Sequence, residues 1–456
     1  MTRPEVPAAS RLRCRTCGST ATHARVFGMP TPALAERIDT KPWLDMGGCL
    51  VVPGMTSAQC LTCGARDAVD QTCESGFDQV PAPDLSVAQA ITRYAVTCHV
   101  SLDQAQTSAI SHAGLWLLLA AAAEHASGDD RTALEDVLGL PADQASDVAR
   151  RLLAEPHPTV AAAAAAWAAA DARTPLTTDG GIPSQAELDA WASEHTRGLI
   201  ESFPVEVDGA TRLLLATALV LEPEWTERLV PDEHGDLTLA GALQTIVHTR
   251  AAGPVAVAKP HTCDAVDVVS IAAEPGVPPS RVWEAVDEVV ALLNAGALRH
   301  GARPGDLPSE SAIWRSWIDE DAVVLTSTVE TLPTDDFGRY RLWRSRLRPW
   351  ATEAALDLTE APGVAEVART ALPDEPGAEV TCTQAVRAEY DADGFRAAAV
   401  TALMSRMSAP ASTTITAGRV ELDLTGPHAV VAIARGGAWE GIPLVSVWVT
   451  PDVGGC

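Results

Sequence analysis

The stretch that decides the fold of this chain is Tyr390-Asp-Ala-Asp-Gly-Phe-Arg-Ala-Ala-Ala-Val-Thr-Ala402. Gly394 breaks a polar run, and a tract of very small residues follows it without another breaker. Alanine-rich tracts near a C-terminus usually form a helix or a linker. The chain that follows has the pattern of β-strands, which favours an extended segment over a helix.

In an extended segment, alternate side chains point to opposite sides. Counted from Gly394, one side carries only uncharged residues: Phe395, Ala397, Ala399, Thr401, Leu403, Ser405 and Met407. The other side carries both arginines: Arg396, Ala398, Val400, Ala402, Met404 and Arg406. The pattern predicts a segment that can enter a β-sheet with its uncharged side inward. A shift of one residue would bury both charges.

The charge and length of the chain argue against several classes of function. Of its 456 residues, 60 are acidic and 33 are basic, a formal net charge of −27. Such an excess of negative charge repels nucleic acid and anionic membranes, so we expect neither as a partner. The longest apolar runs, 113–123 and 160–170, are shorter than the ~20 residues that cross a bilayer, and both are predicted to be buried helices. The polar N-terminus lacks an apolar secretory segment, which predicts a cytoplasmic protein with reduced thiols.

Two Cys-x-x-Cys pairs near the N-terminus have the spacing of a metal site. Their thiols belong to Cys14, Cys17, Cys60 and Cys63, and a glycine after each pair allows the backbone to turn around the sulfur atoms. Four thiolates are a ligand set for a tetrahedral structural Zn²⁺, and they leave no open position for catalysis. The sequence therefore predicts a small module with a structural zinc ion.

The segment between the two pairs contains Gly-Met-Pro at 28–30 and Gly-Gly-Cys at 47–49. In these motifs the module resembles bacterial zinc-ribbon proteins. Cys49 is either a buried apolar residue or a replacement ligand. Nearby arginines are interpreted as a solvated face, and a protein partner at the ribbon is a second role for the module. A polar, proline-containing stretch predicts a boundary near residue 76, which gives modules of 1–75 and 76–456.

The larger module shows a definite order of helices and strands. An amphipathic helix is predicted at 85–95, and Ser111 is predicted to cap the buried helix that follows it. Leu213 to Leu221 is an apolar run of strand length, typical of a strand that is buried on both faces. Trp225 is predicted to be a core residue. The C-terminus contains an alternating half-buried strand at 419–424 and two further strands, up to Ile433 and at 441–451.

Three groups of these residues resemble the serpins, protease inhibitors whose reactive-centre loop inserts into a β-sheet. They are the order from Ser111 to Gly139, the helix end Thr196-Arg-Gly198 followed by Thr217-Ala218 and Trp225, and the strands after Gly426-Pro427. The resemblance covers most of residues 76–456 and is weak at roughly 230–345. It implies an α+β serpin-like fold, with three β-sheets, surrounding helices and a reactive-centre loop, after an N-terminal zinc ribbon.

The resemblance also assigns roles within the loop. The implied hinge is Gly394, Phe395, Arg396, Ala397, Ala398, Ala399, Val400 and Thr401. The implied reactive-site bond is Ser408–Ala409, and Arg406–Met407 is an alternative that suits a trypsin-like protease. Phe395 departs from the family, which usually has a small residue there. Its burial at the start of insertion is expected to cost on the order of 1–3 kcal/mol.

Two functions are compatible with these features. The first is a serine protease inhibitor that acts by loop cleavage and insertion, with a serine protease as its partner and no catalytic residue of its own. The second is a non-inhibitory serpin-fold binding module whose zinc ribbon recruits a partner. The loop's alternation favours the first, whereas Phe395 and a long segment before Pro427 favour the second. Hydrolase and phosphate-loop motifs are missing, so the chain is predicted not to be an enzyme. An extracellular location is the family's alternative.

Overall fold

The structure is a computed structural model in which 12–14, 22–27, 44–48, 58–60 and 69–71 are described as strands. From residue 85 onward it describes 85–155, 157, 159–240, 243–262, 265–298, 300, 311–325, 340–375, 378, 380–396 and 412–451.

The helices of this part of the chain are α1 (Leu85–Cys98), α2 (His112–Ala123), α3 (Gly128–Leu138), α4 (Ala142–Ala154), α5 (Gln185–His195), α6 (Pro279–Asn294) and α7 (Val364–Ala371).

The strands are β1 (Leu12–Cys14), β2 (Thr22–Phe27), β3 (Leu44–Gly48), β4 (Ala58–Cys60), β5 (Val69–Gln71), β6 (Ser108–Ile110), β7 (Val160–Ala168), β8 (Leu213–Leu221), β9 (Val230–Pro231), β10 (Leu237–Ala240), β11 (Leu243–Thr249), β12 (Gly253–Lys259), β13 (Val266–Ala273), β14 (Trp314–Leu325), β15 (Tyr340–Leu347), β16 (Trp350–Asp357), β17 (Thr383–Tyr390), β18 (Phe395–Arg396), β19 (Ser412–Leu424), β20 (His428–Ala434) and β21 (Pro443–Val449).

The chain divides into two compact units, one of 1–78, 317–342 and 403–419 and one of 79–316, 343–402 and 420–456. In the first unit, β1 pairs with β5, and β2 lies between β3 and β4. Cys14 and Cys60 are the last residues of β1 and β4, whereas Cys17 and Cys63 lie outside the described residues. The zinc site and the boundary near residue 76 therefore stay predictions.

The core of the second unit lies on a six-stranded antiparallel sheet with the order β11-β12-β13-β20-β21-β6. All seven residues of β20 and all seven of β21 are buried, as their apolar sequences require. Helix α2 packs against β21 and α4, and nearly all its side chains are buried. The Ser111 side chain accepts a hydrogen bond from the Gly114 N–H at 3.2 Å, which confirms the predicted helix cap. Helix α2 is therefore a central helix of the core, with buried side chains on nearly all of its faces.

Residues Val160–Ala168 of the alanine-rich run form a strand, so the prediction of a buried helix at 160–170 is wrong. Strand β7 pairs with β8 over nine residues, from Val160↔Leu221 to Ala168↔Leu213. Alanine prefers a helix by only a few tenths of a kcal/mol per residue over most residue types. A complete backbone ladder to an apolar neighbour outweighs that preference, because it provides hydrogen-bond partners for a buried backbone.

Three smaller sheets complete the described topology of the larger module. They are the pair β7-β8, the three-stranded sheet β16-β17-β18 and the five-stranded sheet β14-β19-β15-β10-β9. Strand β15 and the start of β16 are separated by only two residues, and Trp350 pairs with Tyr390 at the end of β17. The last residue of β15, Leu347, therefore lies near the end of the β16-β17 ladder where Tyr390 is found.

Candidate functional site

The edges of β8 and β17 define the candidate site. Strand β8 pairs with β7 on one side only, and β17 pairs with β16 along all its eight residues. On its other side, β17 pairs with β18 at its last two residues alone. Within the described residues, the rest of both edges has no strand partner. An unpaired edge presents backbone N–H and C=O groups that are ready to bind another strand.

Both edges border one groove with a cavity of about 530 Å³. Every residue of β8 lines it, as do residues 383–388 of β17, while the first turn of α2 forms its floor and α5 and α7 border it. The lining is mostly apolar, and strand β8 supplies the largest share. The groove is bounded by two unpaired strand edges, and its length and position would suit one more β-strand between β8 and β17.

One end of the groove, which we call the near end, already contains such a strand. Phe395 donates its backbone N–H to the Pro223 carbonyl at 3.1 Å, and Trp225 donates to the Asp393 carbonyl at 2.9 Å. On the opposite side, Phe395 pairs with Tyr390. Strand β18 thus lies between β17 and the segment that follows β8, antiparallel to both.

Gly394 is required at the near end because the two backbones approach closely. A Cβ atom at this position would lie 2.7 Å from the Pro223 carbonyl oxygen and 3.3 Å from the Glu224 Cα. Only a residue without a side chain fits there without displacement of the backbone.

The structure places Phe395 inside the core. Its side chain is 1% exposed, and its ring packs edge-on against Trp350 with a centroid distance of 6.0 Å. The expectation that its burial is an early cost of insertion is therefore wrong, because Phe395 is buried while the rest of the groove is unfilled. Trp225 is 6% exposed and donates its ring N–H to the Asp391 carbonyl at 2.9 Å, which confirms its predicted place in the core.

A polar cluster crosses the middle of the groove floor. Gln384 of β17 donates to the Ser111 carbonyl at 2.9 Å and accepts from the Ser111 N–H at 2.7 Å. Thr217 of β8 donates its hydroxyl to the Gly114 carbonyl at 3.0 Å. Both walls of the groove are therefore attached to the first turn of α2.

An ion pair lies at the end of the groove opposite β18, which we call the far end. Arg212 precedes β8, and its guanidinium donates two hydrogen bonds to Glu375, at 2.9 and 2.8 Å. It also contacts Asp171 at 2.7 Å. The hydrogen bond from Arg212 lowers the pKa of Glu375. Glu375 belongs to the segment between α7 and β17, so this pair connects the two walls.

The adjacent Ser111 and His112 do not form a catalytic pair. The Ser111 hydroxyl donates to the Leu444 carbonyl at 3.1 Å, and His112 shares a hydrogen bond of 3.2 Å with Ser446. Burial lowers the pKa of His112 to about 3, so its ring is neutral at physiological pH. Ser111 is thus the predicted helix cap, and His112 is a buried core residue.

Only the first of the predicted loop residues lie within the described part of the chain. Gly394, Phe395 and Arg396 form the near end of the groove, whereas Ala397, Ala398, Ala399, Val400 and Thr401 lie outside the described residues. Both candidate reactive-site bonds, Arg406–Met407 and Ser408–Ala409, lie outside them as well. Sequence reasoning missed Gln384. The feature of the sequence that could have identified it is a polar residue on the same side of β17 as Val386, Ala388 and Tyr390, which are all buried.

The described residues contain no group of three or more His, Cys, Asp or Glu side chains placed to hold a metal ion. In that same part of the chain, no helix combines the length and apolarity needed to cross a membrane.

No protein-family model and no curated protein matches the chain. Solved structures do resemble it. Serpin48 of the insect Tenebrio molitor, described as a highly specific serpin, has 12% sequence identity and a TM-score of 0.52, over 81% of this chain and 99% of that one. The mouse protein Z-dependent protease inhibitor has 12% identity and a TM-score of 0.50, over 80% and 96%.

At this identity the likeness shows the fold, and it confirms the prediction of a serpin-like domain of mixed helices and sheets. The two neighbours are described as a serpin and a protease inhibitor, and the prediction that this chain is not an enzyme agrees with those descriptions. The zinc ribbon stays a prediction.

Proposed function

We propose that this chain is a serine protease inhibitor in which residues 397–405 fill the groove between β8 and β17 after a protease has cut the loop. The observation that carries the proposal is the position of β18. It forms the first two residues of a middle strand, and the two unpaired edges continue beyond it.

The existing pairs define a register for the filled groove. Gly394 opposes Glu224, and Phe395 opposes Tyr390. If this register is continued, Ala397 lies opposite the last residue of β8 and Ser405 opposite the first. Nine loop residues thus match the nine residues of β8.

The register also determines which side of the new strand faces the core. Residues directly opposite one another in an antiparallel ladder point to the same side. Because Phe395 is buried beside Tyr390, the odd-numbered residues from 397 to 405 turn inward, and all of them are uncharged. Thr401 then lies opposite Thr217 and Gln384, so the central inward polar residue meets the polar cluster of the floor. Arg396 and Arg406 turn outward.

In this mechanism the catalytic chemistry belongs to the protease. Its serine attacks a loop carbonyl and the peptide bond breaks, which gives an acyl-enzyme and a new N-terminus on the C-terminal part of the chain, and that part stays packed in its sheets. Insertion of nine residues at ~3.3 Å each carries the attached protease about 30 Å along the groove. Both candidate bonds lie beyond Ser405, so a cut at either leaves enough chain to fill the groove. The driving force is strand pairing that the intact state lacks.

The direct test mixes the purified chain with serine proteases, including a trypsin-like one. We expect a complex that survives SDS and a large rise in the melting temperature of the loop-cleaved chain. Mass spectrometry of the C-terminal fragment, separated from the rest of the chain under denaturing conditions, identifies the bond. Cleaved chain without any complex would contradict inhibition of those proteases, and an unchanged melting temperature would show that the groove is not filled.

A matched pair of variants tests the register. Ala399→Glu places a carboxylate on the inward side, opposite the buried Val386, whereas Ala398→Glu places it on the outward side, opposite the exposed Arg387. We expect A399E to abolish the complex and the rise in melting temperature, and A398E to retain both. Equal behaviour of the two variants would show that the register is wrong.

A further inference from the structure

The two walls of the groove are not equally regular along its length. Strand β8 is paired with β7 down to Leu213, its first residue. The ladder of β16 and β17 stops sooner, because it ends at the pair Asp357↔Thr383. In the register proposed above, loop residues 403–405 lie opposite 380–382, which precede β17. The last third of the groove therefore has one wall that is a strand and one wall, 380–382, that is irregular.

The irregular wall is held by contacts on either side of it. Next to β17, Cys382 accepts the Leu358 N–H at 2.7 Å and donates its own N–H to the Thr359 hydroxyl at 3.0 Å. On the other side, Glu375 lies in the turn after α7, and its carbonyl accepts the Ala378 N–H at 3.0 Å. None of these contacts involves β8, so they do not determine how far the irregular wall lies from it.

The ion pair at the far end supplies that missing connection. The Arg212 carbonyl accepts the Ala169 N–H at 2.8 Å, which continues the β7-β8 ladder by one residue. Asp171 holds the Arg212 guanidinium at 2.7 Å, and the same guanidinium donates to both carboxylate oxygens of Glu375. A two-pronged contact between arginine and a carboxylate fixes orientation as well as distance. The pair therefore determines where the turn at Glu375 lies relative to β8.

We infer that the Arg212–Glu375 pair positions the irregular wall for the last three residues of the inserting loop. This inference rests on the proposed function, and it names the residues on which complete filling depends. Loop residues 397–402 pair with β17 itself, so they do not need the ion pair. Without the ion pair, residues 403–405 can pair only with β8, and filling stops before the far end.

Incomplete filling matters because inhibition is a competition between insertion and hydrolysis of the acyl-enzyme. Six inserted residues carry the protease about 20 Å, whereas nine carry it about 30 Å. A chain that stops early leaves its protease short of the far end. More of the acyl-enzyme is then hydrolysed, and the chain is cut without trapping the protease.

The test variant is Glu375→Ala, which removes the contact between the walls and leaves Arg212 bound to Asp171. The matched control is Asp374→Ala, which removes the neighbouring exposed ion pair with Arg173 and does not involve β8. A third variant, Glu375→Gln, keeps the length of the side chain and one acceptor oxygen. All three are compared with the wild type.

Hydrogen exchange followed by mass spectrometry reports on the two ends of the groove separately. Because the Arg212 carbonyl points toward β7, the N–H groups of the odd-numbered residues of β8 point into the groove. Peptides that contain Leu213 and Leu215 therefore report on the far end, and peptides that contain Leu219 and Leu221 report on the near end. Each chain is measured uncut and after the loop has been cut.

In the wild type and in Asp374→Ala, cutting should slow exchange at both ends. In Glu375→Ala, it should slow exchange at the near end only. This variant should also consume at least about fivefold more chain for each protease molecule trapped, a change of about 1 kcal/mol. Glu375→Gln should restore part of the far-end protection.

The possible results separate the inference from the proposed function. If cutting slows exchange at both ends in Glu375→Ala as it does in the wild type, the pair does not position the wall, and the proposed function survives. If Asp374→Ala also loses far-end protection, or if Glu375→Gln restores none, the contact across the walls is not the cause. If cutting slows exchange at neither end in any chain, the groove is not filled, and the proposed function fails together with the inference.

Discussion

Truncation of Phe395 tests whether the root of the loop belongs to the core. Its ring is 1% exposed and packs against Trp350. Loss of the ring removes about 100–150 Å² of buried apolar surface, which at ~25 cal/mol/Å² corresponds to roughly 3 kcal/mol. A residual cavity raises this to about 3–5 kcal/mol. We therefore expect Phe395→Ala to lower the free energy of unfolding by about that amount.

Urea unfolding of the intact chain measures this loss, and limited proteolysis measures the state of the loop. The matched control is Phe203→Ala, which truncates a 9% exposed phenylalanine in a separate cluster beside α5. Both variants should lose stability. Only Phe395→Ala should also accelerate proteolysis between residues 397 and 411, because only it loosens β18.

Two results would refute this reasoning. Unchanged or increased stability of the Phe395 variant would mean that the ring contributes nothing to the unfilled state. Equal rates of loop proteolysis in the two variants would mean that β18 does not anchor the loop.

Three other changes have clear expectations. Gly394→Ala places a Cβ 2.7 Å from the Pro223 carbonyl and should cost about 1–3 kcal/mol in urea unfolding, whereas Gly426→Ala meets nothing within 4 Å and should cost little. Burial lowers the pKa of His112 to about 3, so below about pH 6.5 only the unfolded state takes up its proton. The free energy of unfolding therefore decreases by up to ~1.4 kcal/mol for each unit by which the pH is lowered between these two values. His112→Gln should remove part of that dependence relative to the wild type. Metal analysis should find one zinc ion per chain, lost when either Cys-x-x-Cys pair is changed to serine, and a wild-type chain without zinc would contradict the ribbon.

The sequence predicted the parts of the site that depend on local pattern. Side-chain alternation from Gly394 assigned Phe395 to the inward side, and the structure buries it. The cap at Ser111 and the apolar strand 213–221 also followed from residue types alone. Such features need no knowledge of distant partners, because a strand's period and a helix cap are set by a few neighbouring residues.

The error and the omissions of the sequence analysis concern features that depend on distant partners. Residues Val160–Ala168 form a strand only because β8 pairs with them. Glu421 lies on the polar side of an alternating strand, which predicts exposure, yet arginines from β14 and β15 enclose it. The Arg212–Glu375 pair joins residues 163 positions apart. A sequence pattern indicates which side of a strand is polar, but it does not indicate what covers that side.

Strand β18, at the near end of the groove, favours filling of the groove by the loop of this chain over pairing with a strand from another molecule. Unpaired strand edges attract any extended peptide, so an open groove is a risk of intermolecular pairing. Strand β18 reduces that risk, because it holds the first residues of the loop in register and gives the rest a high effective concentration at the edges. It also fixes which side chains turn inward before insertion starts, since a one-residue slip would require Phe395 to leave the core. In the proposed mechanism, the short strand is therefore the template for the inserted strand, and Phe395 is the residue that sets its register.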